Sequence, residues 1–386
     1  MIKVLSIFGT RPEAIKMSPV VKALEVAGLD SVVCVTAQHR EMLDMVLKAF
    51  KVAPKHDLDI MQQGQSLNMV TSRVLEGLSS VLQEEVPDIV LVHGDTTTTF
   101  AASLAAFYAK IPIGHVEAGL RTYNNNSPYP EEVNRRLTAV MADMHFAPTL
   151  RAKENLLHER VLEKNVFVTG NTAIDAIKYS LESLEFDSSV LKALDLSKRI
   201  ILLTAHRRES YEGGGLRNIC RAIKRLTESF DDIHFVYPVH PNSNVGGIVY
   251  EELRGNPSIS LVEPLGIQDM HRLLSKSYMV MTDSGGLQEE APYLNKPALV
   301  LREHTERPEG VDAGCLILCG TDTDGIVHHA ARLLQDEGLY QQMAQAENPF
   351  GDGLASQRIA EHIKTRFADE NIGHFQKAYS GGGRVI

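Results

Sequence analysis

The chain alternates short runs rich in β-branched residues with longer segments of helical periodicity, and this alternation constrains its fold more than any other feature. Apolar runs at residues 2–8, 32–36, 89–92 and 111–116 are each followed by a helix-like segment, and the pattern resumes near residue 200. Parallel strands joined by crossover helices produce such a pattern. We therefore predict an α/β protein in which the carboxyl ends of parallel strands face the ligand.

The chain has 386 residues, more than one hydrophobic core usually supports, so two domains are expected. We predict a first α/β domain over residues 1–169 and a second over residues 170–354. The helix predicted at residues 355–367 can return to the first domain. Residues 368–386, which end in SGGGRVI, have the composition of a flexible tail.

The composition is that of an ordinary soluble protein, with 44% hydrophobic and 23% charged residues. The net charge of -10 disfavours nucleic acid and membrane surfaces as partners, although local cations can still bind an anionic ligand. No run of about eighteen apolar residues occurs, and the opening MIKVLSIFG lacks the parts of a signal peptide, so we expect a cytoplasmic protein. The four cysteines show neither disulfide nor metal-ligand spacing, so we expect packing roles and no metal site.

Three carboxylates follow or adjoin apolar runs in the first half of the chain. Asp95 follows the run IVLV, Glu117 follows the run IPIGHV, and Glu131 opens a helix-like segment. Acidic side chains are rarely buried unless they are paired or used, and a group of them at strand ends suggests proton transfer. Asp95 and Glu131 also have a structural alternative, since acids and threonines favour helix N-termini.

Two segments have the features of an anion-binding turn between a strand and a helix. In FGTRPEAIKM, Arg11 and Lys16 stand near a helix N-terminus, where backbone N–H groups and the helix dipole favour anions. In TDSGGLQEEA, a serine and two glycines can approach a diphosphate, and an acid one turn later can reach a ribose. These four residues are Ser284, Gly285, Gly286 and Glu290. Ordinary turns with solvated cations or a capping serine are the alternatives.

His206 follows a predicted strand in TAHRRES and stands beside two arginines. A histidine there can donate to a phosphate or protonate a leaving group, although a generic loop position is the alternative. His93 and His115 lie within strand-like runs and are expected to be hydrogen-bonded structural residues. The chain has neither a GxGxxG signature nor a Walker A motif, which disfavours redox chemistry and ATP hydrolysis.

Nine motifs occur in one order from residue 2 to about residue 367: FGTRPEAIKM, HGDTTTT, HVEAGLRT, PEEVNRR, VTGNTAIDA, TAHRRES, TDSGGLQEEAP, TERPEGV and NPFGDG. Together they resemble the non-hydrolysing bacterial UDP-N-acetylglucosamine 2-epimerases. The resemblance implies two Rossmann-like domains facing each other across a cleft, as in GT-B glycosyltransferases, and a homodimer. It also implies that UDP-GlcNAc and UDP-ManNAc are interconverted without a cofactor, through a 2-acetamidoglucal intermediate, for cell-surface polysaccharide synthesis.

Carried over by position, the resemblance assigns acid–base chemistry to Asp95, Glu117 and Glu131, whose individual roles stay open. His206 is a candidate for both catalysis and phosphate binding. Met270 stands where a phenylalanine often packs against the uracil, so contacts to the base also stay open. The residues assigned to UDP or its phosphates are Arg11, Lys16, His206, Ser284, Gly285, Gly286, Glu290 and Arg307.

A second UDP-GlcNAc site, which activates many family members, is implied at Gln38, His39 and Arg40. Here Glu41 stands where a glutamine is common, and Gly64 stands where an arginine is common. An added anion and a lost cation weaken the attraction for a nucleotide diphosphate. We therefore predict that activation through this site is weakened or absent.

Three other functions use overlapping features. A GT-B glycosyltransferase shares the architecture but needs an acceptor. A hydrolysing epimerase releases free ManNAc, and its usual opening resembles GTRADYG rather than GTRPEAIKM. A non-catalytic nucleotide-sugar sensor would keep Arg11 and Ser284 but would need none of the three acids, all of which are present.

Overall fold

A computed structural model describes residues 1–37, 40–62, 64–126, 128–183, 185–207, 210–211 and 213–369, and for residues 41, 42 and 369 it describes the backbone alone. The chain forms two compact units. One comprises residues 1–179 with the described residues from 351 onward, and the other comprises residues 180–350. From residue 370 on, the predicted tail lies outside the described residues.

The first unit is built on a parallel sheet of seven strands in the order β3-β2-β1-β4-β5-β6-β7. Its strands are β1 (Lys3–Phe8), β2 (Asp30–Val35), β3 (His56–Asp57), β4 (Ile89–His93), β5 (Ile113–Val116), β6 (Met144–Ala147) and β7 (Val166–Val168). The helices are α1 (Arg11–Val26), α2 (Arg40–Phe50), α3 (Leu67–Glu85), α4 (Thr97–Tyr108), α5 (Glu131–Met141), α6 (Leu150–His158) and α7 (Thr172–Ser180), with a 3-10 turn at Glu163–Asn165.

The inner strands of this sheet are apolar on both faces, as a parallel sheet requires. Every residue of β4 is buried, and β1 pairs with β2 on one side and with β4 on the other. Chain order therefore reverses between β1 and β4, which is the switch point where doubly wound folds bind ligands. The predicted α/β class is confirmed, and the apolar runs are strands. The two-residue strand β3 was not predicted.

The second unit repeats the design with six parallel strands in the order β10-β9-β8-β11-β12-β13. Its strands are β8 (Arg199–Thr204), β9 (Ile233–Pro238), β10 (Ile259–Val262), β11 (Met279–Thr282), β12 (Ala298–Val300) and β13 (Leu316–Leu318). Its helices are α8 (Ser189–Lys192), α9 (Gly215–Ser229), α10 (Ser243–Leu253), α11 (Ile267–Lys276), α12 (Gly285–Tyr293), α13 (Pro308–Asp312), α14 (Thr323–Gln335) and α15 (Glu337–Ala344). Its switch point lies between β8 and β11, which pair directly.

Helix α9 shows how the apolar pattern sets the packing of this unit. Its buried side chains Leu216, Ile219, Cys220, Ile223 and Leu226 recur at three- and four-residue spacing, so they form one face of the helix. That face joins the apolar core beside the sheet. The four cysteines are buried free thiols, which confirms their predicted packing role.

The last described helix, α16 (Ala355–Asp369), belongs to the first unit. Asp175 accepts hydrogen bonds from the backbone N–H groups of Ala355 at 3.2 Å and Ser356 at 2.7 Å, which caps the helix. Lys364 Nζ lies 3.3 Å from the carbonyl oxygen of Ala27, just after α1. Among the described residues, no helix combines the length and the apolar character needed to cross a membrane.

Candidate active site

Asp95 follows β4, and α5 holds it in place. Arg135 Nε lies 3.1 Å from Asp95 Oδ2, and Arg135 Nη2 hydrogen-bonds to the same oxygen. The side-chain amide of Asn134 donates to the carbonyl oxygen of Asp95 at 3.0 Å. The cap of α4 is Thr96, whose hydroxyl accepts from the backbone N–H of Thr99 at 3.1 Å. Asp95 is therefore not the helix cap that its position also allowed, and its carboxylate faces a guanidinium.

Glu117 follows β5 and has two basic side chains beside it. Lys16 Nζ hydrogen-bonds to Glu117 Oε2, and His93 Nε2 lies 3.7 Å from the same oxygen. Glu117 has a φ of 60°, in the left-handed region that residues other than glycine rarely adopt. Such conformations persist only where the surroundings enforce them, and they cluster at functional sites. Lys16, predicted to bind phosphate, is thus also the ion-pair partner of a predicted acid.

Two buried histidines lie near these strand ends. His115 Nε2 is 2.7 Å from the carbonyl oxygen of Gly94, and burial lowers the pKa of His115 to about 3, which suits the predicted structural role. His93 departs from the expectation of a satisfied structural residue at one ring nitrogen, because its Nε2 is buried beside Glu117 and has no hydrogen-bond partner among the described residues. Burial lowers the pKa of His93, although the Glu117 carboxylate opposes that shift.

Glu131 differs from the other two acids in its surroundings. It is the first residue of α5 and is half-buried. Its Oε2 atom is buried and has no hydrogen-bond partner among the described residues. A buried carboxylate oxygen without a partner costs free energy, so such an atom in a native structure calls for an explanation, and a catalytic role is one.

The N-terminus of α1 is closed by the chain itself. Thr10 and Glu13 form a capping box, and Glu13 Oε2 accepts hydrogen bonds from the backbone N–H groups of Gly9 at 3.0 Å and Thr10 at 2.7 Å. These two donors, which stand where a phosphate was predicted, are therefore used by a carboxylate. Arg11 begins the helix, and burial lowers the pKa of its guanidinium.

In the second unit, Asp283 follows β11 and anchors the turn that follows β8. Its Oδ2 accepts hydrogen bonds from the backbone N–H groups of His206 at 2.6 Å and Arg207 at 2.7 Å. His206 Nδ1 lies 3.3 Å from Asp283 Oδ1, and the ring stacks on His240 with centroids 5.1 Å apart. Burial lowers the pKa of His206, although Asp283 opposes that shift. Asp283 therefore anchors the backbone of this turn through Oδ2, and its Oδ1 lies beside one ring nitrogen of His206.

The N-terminus of α12 lacks a side-chain cap, whereas the N-terminus of α1 has a capping box. Ser284 is the N-cap, but its side chain makes no capping hydrogen bond, so the alternative of a capping serine is wrong. A methyl group added at Gly285 would lie 3.8 Å from Arg307 Nη2 and 3.9 Å from Arg207 Nη2. Glu289 holds Arg307 through its Nε. An uncapped helix N-terminus flanked by two guanidinium groups is a suitable site for a diphosphate.

Glu290 lies within α12 beside a fully buried histidine. His271 Nε2 is 3.5 Å from Glu290 Oε2, and neither ring nitrogen of His271 has a hydrogen-bond partner among the described residues. A methyl group added at Gly286 would lie 3.6 Å from Glu290 Oε1, so this carboxylate borders the glycine turn. Met270, the residue predicted near uracil, packs against the apolar core of this unit.

Of the residues predicted for a second nucleotide site, Gln38 and His39 lie outside the described residues. Arg40 is described, and its guanidinium is already paired with carboxylates of its own unit. Its Nε lies 3.1 Å from Asp44 Oδ2. Its Nη1 hydrogen-bonds to Asp57 Oδ2 and lies 3.6 Å from Asp59 Oδ1.

One group of side chains has the spacing of metal ligands in the described part of the chain. The ligand atoms of His56, Glu84 and Glu85 lie within 4.8 Å of one another. Glu85 is also ion-paired with Lys3 at 3.3 Å and Lys55 at 2.6 Å, and these positive charges oppose a bound cation. The prediction that the protein needs no metal stays a prediction.

Sequence reasoning missed several residues that support the site. Arg135 and His271 gave no signal, because each contacts an acid whose proximity depends on the folded sheet. Glu13 did give one: Thr10 and Glu13 have the T-x-x-E spacing of a capping box directly after a strand.

Comparison with known proteins decides the family. The family model described as UDP-N-acetylglucosamine 2-epimerase matches residues 22–364. The chain belongs to this epimerase family. A putative UDP-N-acetylglucosamine 2-epimerase of Clostridium acetobutylicum is 56% identical over 369 residues, which cover 95% of this chain and 96% of the relative.

Solved structures of the epimerase family share the whole fold. A putative UDP-N-acetylglucosamine 2-epimerase from Listeria monocytogenes is 51% identical with a TM-score of 0.90, and the match covers 96% of this chain and 98% of that one. The UDP-GlcNAc 2-epimerase from Neisseria meningitidis, solved bound to UDP-GlcNAc, is 48% identical with a TM-score of 0.87, covering 94% and 100%. The family and the two Rossmann-like sheets predicted from the motifs are confirmed.

Proposed function

We propose that this epimerase interconverts UDP-GlcNAc and UDP-ManNAc by eliminating and re-adding UDP through a 2-acetamidoglucal intermediate. The observation that carries the proposal is a division of chemistry between the two switch points. The first has two acids that face cations, Asp95 and Glu117, and Glu131 begins the helix whose Arg135 holds Asp95. The second has an uncapped helix N-terminus with two guanidinium groups and a histidine beside Asp283. Proton transfer and diphosphate binding each have a suitable set of groups.

Elimination is the route that the chemistry of the sugar favours. The C2–H bond of UDP-GlcNAc has no adjacent carbonyl, so direct removal of that proton would leave an unstabilised carbanion. If the C1–O bond to UDP breaks as the C2 proton is lost, the electron pair forms the C1–C2 double bond of the glycal. Re-addition of UDP at C1, with a proton delivered to the opposite face of C2, completes the inversion. Both steps balance without an oxidant or a metal ion.

The environments of the acids support a division of labour. Asp95 faces Arg135, and Glu117 faces Lys16, so both are placed opposite cations. Glu131 has a buried oxygen with no hydrogen-bond partner in the described part of the chain. We assign proton removal and return on one face of C2 to the acids that face cations, and proton exchange on the other face to Glu131. General acid–base catalysis of this kind typically contributes about 10²–10⁴-fold.

The groups around α12 suit the departing diphosphate. Backbone N–H groups at the start of the helix and the guanidinium groups of Arg207 and Arg307 stabilise negative charge as the C1–O bond breaks. A bound diphosphate favours the protonated form of a nearby histidine. His206, whose pKa burial otherwise lowers, can then donate a hydrogen bond to the leaving group. Glu290 is assigned to the ribose hydroxyls.

Incubation of the purified protein with UDP-GlcNAc in D₂O tests the proposal. We expect UDP-ManNAc to form without an acceptor and deuterium to appear at C2 of both UDP-sugars. Free ManNAc with UDP would instead indicate a hydrolysing epimerase. Turnover only after addition of an acceptor would indicate a glycosyltransferase, and binding without turnover a sensor. Epimerisation without deuterium would refute exchange of the C2 proton with solvent.

We further propose that the protein is a homodimer that works in the cytoplasm and supplies UDP-ManNAc for cell-surface polysaccharides. Neighbouring helices α4 and α5 leave large apolar side chains exposed: Phe107, Tyr108, Leu137 and Val140. A second copy of the chain is the partner that we expect to cover them, since grouped apolar exposure marks interaction surfaces. Light scattering after size-exclusion chromatography should give twice the chain mass of 42.6 kDa.

A further inference from the structure

A buried carboxylate, that of Glu13, joins the two turns that flank the switch point of the first sheet. The residue is 2% exposed. Its Oε2 accepts from the backbone N–H groups of Gly9 and Thr10, which precede α1. Its Oε1 lies 2.6 Å from the hydroxyl of Thr96 and 3.0 Å from the hydroxyl of Thr99, both at the start of α4. One carboxylate therefore connects the turn after β1 with the turn after β4.

The contacts of Glu13 Oε1 with the two threonines of α4 are not needed for the capping of α1. In a capping box the glutamate side chain reaches back to the N-cap backbone, which Oε2 of Glu13 already does. Its other oxygen instead binds a helix that begins more than eighty residues later, at separations of 83 and 86 positions. Burial of a carboxylate is costly unless hydrogen bonds satisfy both oxygens, and here both are satisfied by partners from two different elements.

The two connected turns carry different parts of the predicted acid–base machinery. Helix α1 carries Lys16, which is ion-paired with Glu117. Asp95 directly precedes Thr96, whose hydroxyl donates to Glu13. The carboxylate of Glu13 thus adds a side-chain link between Asp95 and the Lys16–Glu117 pair, beside the backbone hydrogen bond from the N–H of Gly94 to the carbonyl oxygen of Val116 at 2.9 Å.

We propose that Glu13 is a positioning residue for epimerisation, which fixes Asp95 relative to the Lys16–Glu117 pair. The proposal rests on the proposed function. Glu13 touches neither the sugar nor the diphosphate in this scheme and acts only through the two turns. A misplacement of about 1 Å in a reacting group can cost about 10²-fold in rate, so a loosened link should lower turnover rather than substrate binding.

The sharpest test weakens the α4 side of the link, where the hydroxyl of Thr96 still contacts Glu13, and leaves the α1 capping box intact. Thr99→Val removes one of the two hydroxyls that contact Glu13, together with the contact of that hydroxyl to the carbonyl oxygen of His93, without changing side-chain volume much. Thr99→Ser keeps the hydroxyl. We expect Thr99→Val to lower kcat about 10–100-fold with KM changed less than about twofold, and Thr99→Ser to retain most of the activity. Glu13→Gln should lower kcat as well, and the double variant should lose less than the product of the two single losses.

A matched control separates positioning from general stability. Asp175 is 3% exposed and caps α16 through two backbone N–H groups, so Asp175→Asn perturbs a comparable buried carboxylate in the same unit. We expect it to lower Tm with kcat unchanged.

Two outcomes would overturn the role of Glu13. Equal kcat values for Thr99→Val, Thr99→Ser and the unmodified protein would do so, as would kcat losses that follow Tm in every variant, the control included. Absence of turnover in the unmodified protein would sink the proposed function itself, which keeps the two failures distinguishable.

Discussion

Arg135 holds Asp95 from a helix forty positions further along the chain, with its Nε 3.1 Å from Asp95 Oδ2 and its Nη2 hydrogen-bonded to the same oxygen. The guanidinium also donates through Nη1 to the buried Glu132 at 3.2 Å. Arginine is always charged and has rigid geometry. Asp95 therefore has one fixed orientation opposite a permanent cation.

Asp95→Asn should reduce turnover far more than it weakens UDP binding. The amide keeps the size of the side chain but cannot take a proton, so we expect kcat to fall by about 10²–10⁴-fold. UDP affinity, measured by calorimetry, should change less than about threefold, because Asp95 is not among the groups assigned to UDP, of which all but Arg11 and Lys16 lie in the second unit. Equal losses in turnover and affinity would mean that Asp95 is structural.

Gly285→Ala should separate ligand binding from stability. The added methyl group would lie in ordinary contact, 3.8 Å from Arg307 Nη2, and alanine is the better helix former, so Tm should not fall. The methyl group would nevertheless occupy the space through which a phosphate approaches the helix N-terminus. We expect UDP affinity to fall about tenfold or more. Gly247→Ala is the matched control, since a methyl group there meets nothing within 4 Å, and it should leave affinity unchanged.

The fold was predictable where local sequence determines it. The run IVLV is rich in β-branched residues and is typical of a buried strand, and β4 is buried throughout. The strand β3 could not be predicted, because its two residues have no pattern of their own and pair only with the end of β2. The register of the sheet, and hence which turns lie side by side, follows from strand order rather than from local pattern.

In the candidate site too, local sequence predicted some residues and could not predict others. Asp95 and Glu117 were predictable because each directly follows an apolar run. Their partners were not, since Arg135 pairs across 40 positions and Lys16 across 101. The choice between a capping and an open Ser284 was equally undetermined, because the sequence DSGG permits both and only the folded turn shows the missing capping bond.

The stability of the first unit should depend on acid pH through Glu85. Burial alone would raise the pKa of this 2% exposed carboxyl, but hydrogen bonds from Lys55, His56 and Lys3 outweigh burial and lower the pKa to about 2. Because this value is below the unfolded value of about 4.3, the stabilisation is present above that pH and is lost as the pH falls toward 2.

Glu85→Gln should therefore lower the free energy of unfolding by about 1–3 kcal/mol at pH 7, with the lower end set by solvent screening of the partly exposed lysines. The difference from the unmodified protein should shrink as the pH falls from about 4.5 to about 2. Denaturant titrations of both proteins at several pH values measure this difference in the free energy of unfolding. The exposed neighbour Glu84 gives the control variant, Glu84→Gln. A similar pH dependence for this variant would contradict the attribution of the effect to Glu85.

Activation by a second UDP-GlcNAc should be weak or absent. Arg40, the described member of the predicted site, is already paired with carboxylates, and Asp57 accepts a hydrogen bond from it. The anion Glu41 follows it, and Gly64 supplies no cation. We expect hyperbolic forward kinetics and turnover of UDP-ManNAc without added UDP-GlcNAc.

The variant Glu41→Gln with Gly64→Arg should gain a sigmoidal response, despite a cost of about 1 kcal/mol for a left-handed φ of 72° at residue 64. A strict requirement of the unmodified protein for UDP-GlcNAc in the reverse direction would refute the prediction.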